Sequence, residues 1–301
     1  MKDLAKTQQT DYGIQEFLMN FNSKHTKRAY QKDIENFFNF LSSKGRWLKS
    51  PKCLKLADFI AYRDHLLLDK ATNTVARKIG SLKSLMAWFE NNGHIDHNPC
   101  ASLKIPRAEV ETPTLAFSDD EVRKMLAAPD VSDLTGSTHK MALCLLFYFG
   151  LRRSELVNLR LSDIYADGDV LVLRVKGKGG KLREIPFSPS AELSLRKYLE
   201  SYEKFRGIEM KVDAHLLGGN DLPVHTNTIY NIIKQYSDKI GVSKKVSPHS
   251  CRATAITKTI EEGASITEVA DMAGHSNIVT TQGYWKKRKS LKDSPVYKLN
   301  Y

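Results

Sequence analysis

Val170-Leu-Val-Leu-Arg-Val-Lys-Gly-Lys-Gly-Gly-Lys-Leu-Arg-Glu-Ile185 sets two extended-type runs on either side of the glycine-rich turn Gly177-Lys-Gly-Gly180. Such a pattern reads as a β-hairpin. The sequence on both sides of it has a helical period instead. Upstream, Ser118-Asp-Asp-Glu121 is a capping box that opens a helix through Met125. A strongly apolar helix then covers 140–149 and stops at Gly150. Downstream, helices are expected at 191–205, 227–239, 252–262 and 266–273. The fold class is therefore mainly α with a small β-sheet (α+β).

The first hundred residues carry no strand signal. Between Thr26 and Leu41, the residues Tyr30, Ile34, Phe37, Phe38 and Leu41 recur at intervals of three and four, which makes one apolar helix face. Between Asn73 and Phe89, Val75, Ile79, Leu82, Leu85, Met86 and Phe89 repeat that logic. Gly45, Pro51, Gly93 and Pro99 punctuate a small bundle of four or five helices. The polar stretch from Lys104 to Thr114 holds two prolines and no period, as a linker does. The expected organisation is a helical domain over 10–104, a linker over 105–115 and a second domain over 116–301.

Length and charge narrow the class. The 301 residues suffice for two modest cores, and 41% hydrophobic with 27% charged residues excludes a wholly disordered chain. The net charge of +12 is shared, with 18 basic against 12 acidic residues up to position 113 and 28 against 22 beyond it. A surface basic throughout fits a polyanion such as DNA or RNA. The longest apolar run, Met141 to Leu151, is far short of a membrane span. The opening MKDLAKTQQT has no apolar core of a secretory signal, so a soluble, cytoplasmic protein is expected. Cys53, Cys100, Cys144 and Cys251 lie too far apart in sequence for a C-x-x-C zinc site or a disulfide framework.

Five features of the second domain bear chemistry. Arg152 follows the helix-ending Gly150, and Lys178 sits in the hairpin turn. Pro248-His-Ser-Cys-Arg252 spaces His249 and Arg252 one helical turn apart, on one face. His275 stands just past the helix-ending Gly274, and Thr280-Thr-Gln-Gly-Tyr284 places a tyrosine nine residues later. Taken singly each has an ordinary reading: an ion-paired arginine, a solvated turn, capping histidines, a packing tyrosine. Their order is what distinguishes them.

The succession Gly-Leu-Arg-x-Ser-Glu-Leu, Gly-Lys-Gly-x-Lys, Pro-His-x-x-Arg, Gly-His-Ser and Thr-Thr-x-x-Tyr resembles the tyrosine recombinase (phage integrase) family over nearly the whole chain. The resemblance implies an N-terminal helical, SAM-like core-binding domain and a catalytic domain that together form a C-shaped clamp on DNA. It implies that Arg152, Lys178, His249, Arg252 and His275 serve catalysis, with Tyr284 as nucleophile and Glu155 supporting them from behind. The implied activity is site-specific DNA recombination or integration through a 3′-phosphotyrosyl intermediate, by a homo-oligomer that is a tetramer on two duplexes. A type IB topoisomerase-like enzyme and a catalytically silent DNA-binding accessory protein are the alternatives. The helical first domain favours recombination over the former, and the intact Arg-Lys-His-Arg-His-Tyr set argues against the latter.

The chemistry asks for the same residue types. A phenol with an ordinary pKa of about 10 needs help to attack a phosphodiester at neutral pH. Two arginines can grip the non-bridging oxygens, a neutral histidine can take the phenolic proton, and a lysine can protonate the leaving 5′-oxygen. Because bond energy is kept in the phosphotyrosine, no nucleotide or other cofactor is expected, and no step calls for a metal. Lys24, Lys27, Arg28, Arg77, Lys78 and Lys83 of the first domain, with Lys181 of the hairpin, are the candidate DNA contacts. The tail from Trp285 to Tyr301 combines basic and apolar residues suited to a docking surface. The resemblance implies that it docks on a neighbouring protomer, with folding back on its own domain as the alternative.

Overall fold

The computed structural model describes residues 13–105, 115–218 and 222–286, apart from the side chains of Lys178, Trp285 and Lys286. The expected tail beyond Lys286 and nearly all of the linker lie outside the described residues. The chain divides into two compact units, Met1–Thr112 and Pro113–Tyr301.

Among the described residues of the first unit, four α-helices surround one core: α1 (Ile14–Met19), α2 (Lys24–Ser43), α3 (Leu56–Leu67) and α4 (Thr72–Asn91). The stripe expected on α4 is buried. On α2, Ile34, Phe37 and Leu41 are buried, while Tyr30 and Phe38 are half-buried and Phe40 joins the core. Phe37, Ile79, Leu82, Leu85, Met86 and Phe89 are fully enclosed beside Phe59 of α3. Ser23 caps α2 by accepting from the Thr26 N–H. One carboxylate is buried here. Asp33 accepts from Arg77 Nη2 (3.0 Å), Lys78 Nζ (3.0 Å) and Ser81 Oγ (2.9 Å), and also from Arg77 Nη1. Burial pushes its pKa up, but the hydrogen bonds from Arg77, Lys78 and Ser81 outweigh that and hold it below the usual carboxylate value.

The second unit begins with α5 (Asp119–Ala127), whose capping box is closed by Ser118 and Glu121 in both directions. Next come α6 (Leu134–Phe149) and the short α7 (Arg153–Asn158). A three-stranded antiparallel sheet follows, of β1 (Ile164–Asp167), β2 (Val170–Lys176) and β3 (Leu182–Pro186) in that order. The remaining helices are α8 (Pro189–Arg206), α9 (Thr226–Lys239), α10 (Pro248–Glu261), α11 (Ile266–Ala273) and α12 (Ile278–Lys286). Buried from Met141 to Phe147, α6 is the axis of this unit, with α8 and α10 packed against it. No helix among the described residues is long and apolar enough to cross a membrane.

The hairpin has the expected strands, and β1 is an addition. At four residues it is too short to show alternation. Two helices start a full turn or more earlier than their patterns indicated. Asp133 caps α6 by accepting from the Gly136 N–H at 2.6 Å, which lets the polar turn 135–138 join the helix. Pro248 starts α10, because its fixed φ suits the first helical position. This places His249 as well as Arg252 on the helix.

Candidate active site

Two left-handed glycines bring the guanidinium groups together. α6 ends at Gly150 with φ +58°, and the Gly150 carbonyl accepts from Arg252 Nη1 at 2.6 Å. A β-carbon there would approach that of Ala255 to 3.3 Å, so both the backbone angle and the space call for glycine. α11 ends at Gly274 with φ +64°, where a β-carbon would fall 2.9 Å from Arg183 Nη1. The carbonyl of Gly274 accepts from Arg152 Nη2 at 2.7 Å, and that of Ala273 accepts from Arg252 Nη2.

Arg252 is buried on α10, and both of its hydrogen bonds among the described residues go to these main-chain carbonyls. Burial, reinforced by the neighbouring Arg152, lowers its pKa to about 10, so it remains a cation at neutral pH. Arg152 stands at the N-cap of α7 with its side chain about one-third exposed. Its N–H and Nη1 both donate to Glu155 at 2.8 Å. Glu155 is buried and also takes a two-pronged ion pair from Arg183 at 3.0 and 2.8 Å. Burial pushes its carboxyl up, while the bonds from Arg183 and Arg152 bring the net value below the ordinary one. Glu155 is therefore an anion held between two arginines.

His275 comes directly after Gly274. Its Nδ1 lies 2.7 Å from Oγ1 of Thr281, a fully buried residue of α12. Burial, together with the charges of Arg252 and Arg152, lowers its pKa to about 4, which leaves the ring neutral at physiological pH. Tyr284, also on α12, has its hydroxyl 3.4 Å from Nε2 of His249 on the first turn of α10, near the outer limit of a hydrogen bond. Burial raises the phenol's pKa, and Arg252 and Arg152 only partly offset that, so the hydroxyl is protonated at neutral pH. An open cleft of about 590 Å³ is lined by Arg152, His249, Arg252, His275 and Tyr284.

Five of the sequence candidates thus meet around one cleft, with Glu155 behind them. Arg153, next to Arg152, is exposed at the rim. The backbone of Lys178 lies in the turn between β2 and β3, and its side chain is outside the described residues. Lys181 is exposed just after that turn.

The six cations of the first unit are not equivalent. Lys24 and Arg28 are exposed and Lys27 is half-buried on the first turns of α2. Arg77 and Lys78 hold Asp33, and Lys83 donates to the carbonyls of Ala101 and Leu103 at 3.1 Å each. These last three have structural work inside their own unit.

The roles of two site residues are not evident from the motifs. Arg183 had a usable signal: it pairs with Val175 in the β2–β3 register and shares a strand face with the buried Ile185. An inward charge needs a partner. Thr281 stands in the Thr-Thr-x-x-Tyr motif, but its contact with His275 depends on how α12 folds back.

Residues 116–290 match the Phage integrase family, and residues 15–93 match its N-terminal SAM-like domain. Tyrosine recombinase XerD of Listeria innocua is 30% identical over 279 residues, covering 92% of both chains. Tyrosine recombinase XerC of Thermodesulfovibrio yellowstonii is 31% identical over 269 residues, 87% of this chain and 85% of that protein. Two solved structures share the fold. XerH site-specific recombinase bound to its difH substrate superposes with a TM-score of 0.73 at 15% identity, over 91% of this chain and 80% of that one. A lambda integrase dimer bound to a core site gives 0.72 at 17% identity, over 94% and 96%. With both units matched and the cleft built as described, the chain belongs to the phage integrase family, the tyrosine recombinases.

Proposed function

We propose that this recombinase cuts and rejoins double-stranded DNA at specific sites through a 3′-phosphotyrosyl bond to Tyr284, as a tetramer holding two duplexes. The observation that carries this reading is the Tyr284 hydroxyl 3.4 Å from His249 Nε2, in a cleft it shares with two guanidinium groups. A scissile phosphate between Arg152 and Arg252 has its non-bridging oxygens neutralised as charge builds in the transition state. His249 accepts the phenolic proton while Tyr284 Oη forms its bond to phosphorus. The P–O5′ bond breaks, and the leaving oxygen takes a proton from Lys178. Neutral His275 hydrogen-bonds the phosphate and steadies the tyrosine ring. Rejoining reverses each transfer, so the sequence closes without a nucleotide.

Names of relatives support DNA as the partner: XerH and lambda integrase are both described bound to DNA sites, the latter as a dimer. The exposed cations Lys24 and Arg28, the half-buried Lys27, and Lys181 at the hairpin are the phosphate contacts this reading favours. The test is an exchange reaction between two labelled duplexes carrying the element's own site. The reading expects joint molecules with exchanged flanks and a four-protomer complex by mass photometry. Relaxation of supercoiled DNA by a monomer, with no exchange, would overturn it in favour of a topoisomerase.

A further inference from the structure

We propose that Arg183 is a positioning residue for the phosphate clamp: by neutralising Glu155 it leaves the charge of Arg152 available to the scissile phosphate. The inference rests on the function proposed above. Arg183 is absent from the cleft lining, and its side chain is 9% exposed against 4% for Glu155, so the pair is enclosed beneath the site. One carboxylate can balance only one of the two cations that touch it. The geometry assigns that role to Arg183, whose two Nη atoms meet both oxygens of Glu155, whereas Arg152 gives the carboxylate a single Nη1 contact from its side chain. With Nη2 on the Gly274 carbonyl, Arg152 has used two of the five N–H donors a guanidinium carries. Its side chain remains one-third exposed at the cleft.

Without Arg183, the buried Glu155 would have Arg152 as its one cationic hydrogen-bond partner among the described residues and would draw that charge inward. The same guanidinium also fixes the geometry around the clamp. Its Nε donates to the Met272 carbonyl at 2.8 Å, two residues before the Gly274 carbonyl that holds Arg152. It packs where a β-carbon of residue 274 would stand, which accounts for glycine there beyond the turn itself. Lysine could supply the charge but not the fork.

The experiment is single-turnover cleavage of a nicked suicide duplex, with either a phosphate or an uncharged methylphosphonate at the scissile position. Arg183→Met should lose about 100-fold on the phosphate, as removal of a transition-state charge interaction does, with Arg183→Lys between it and the parent. On the methylphosphonate, which carries no charge to neutralise, the deficit relative to the parent should shrink to about fivefold or less. In a Glu155→Gln background the same Arg183→Met change should cost less than about threefold, because no carboxylate remains to be balanced. Equal losses on both substrates and in both backgrounds would overturn the proposal and leave Arg183 a prop for the fold. So would Arg183→Met cleaving the phosphate like the parent. A parent that forms no adduct contradicts the function reading instead, and the proposal with it. Should Arg183→Met fail to fold, Arg183→Lys and the Glu155→Gln/Arg183→Met pair leave no buried charge unpaired and give the same comparisons.

Discussion

The imidazole of His275 lies parallel to the phenol of Tyr284, with 4° between the ring planes and 6.3 Å between centroids. Thr281 fixes the other edge of the imidazole, so His275 and Tyr284 are oriented from one helix. An imidazolium in that position would add a third positive charge next to Arg152 and Arg252. Burial and those two charges keep it neutral.

His275 therefore titrates well below an ordinary histidine, with its pKa lowered to about 4. Between pH 6.5 and that value the unfolded chain binds a proton that the folded chain does not, so stability falls as pH drops through this window. The ring 15N shifts of His275 should report a neutral imidazole at pH 6. An imidazolium signal at that pH would contradict the assignment.

Arg152→Ala and Arg252→Ala each remove half of the clamp. Each should slow single-turnover cleavage by at least the equivalent of about 3–4 kcal/mol, while binding of the DNA site changes only a few-fold. Arg252→Ala should also lower the melting temperature, because the carbonyls of Gly150 and Ala273 lose their donor in a buried position. Cleavage within tenfold of the parent for either variant would remove that residue from the clamp.

Lys178→Ala should be slow on a normal phosphodiester and recover on a substrate whose leaving group is a 5′-thiolate, which needs no proton to depart. The ratio of the two rates measures the acid. An unchanged ratio would assign proton donation elsewhere.

The cations of the first unit separate into two kinds that salt titration can tell apart. Removing Lys24 and Arg28 together should flatten the dependence of DNA affinity on salt by about one unit for each phosphate no longer neutralised. Asp33→Ala instead strands Lys78 in a buried setting and should destabilise the unit by about 2–3 kcal/mol, discounted because Arg77 is half exposed and can turn to solvent. A salt slope unaltered by the first pair of changes would count against α2 as a DNA-facing helix.

Long apolar stripes made α2, α4 and α6 readable, and the β-branched, apolar run from Val170 with its glycine-rich turn gave the hairpin. The short elements β1, α7 and α12 carry too few periods, and no cap or turn signal strong enough, to be seen this way. At the site, the ordered motifs and the resemblance they carry picked out side chains that project from helix ends and turns: Arg152, His249, Arg252, His275 and Tyr284. What they could not disclose are partners fixed by tertiary packing. The carbonyls of Gly150, Ala273 and Gly274 have no side-chain signature, and the Thr-Thr-x-x-Tyr motif does not say that Thr281 meets His275. Arg77 and Lys78 show the converse. On a helical wheel they read as a basic surface, and only the packing of α2 against α4 shows that they are matched to Asp33.

Whether Tyr284 is the nucleophile is decided by trapping the reaction on a nicked suicide duplex and mapping the protein–DNA bond by mass spectrometry. The expected product is a covalent adduct on the peptide containing Tyr284, joined through the 3′-phosphate. Tyr284→Phe should bind the same duplex within a few-fold and form no adduct, since the variant lacks only the nucleophilic oxygen. An adduct that persists in Tyr284→Phe, or that maps to another residue, would contradict the proposed chemistry.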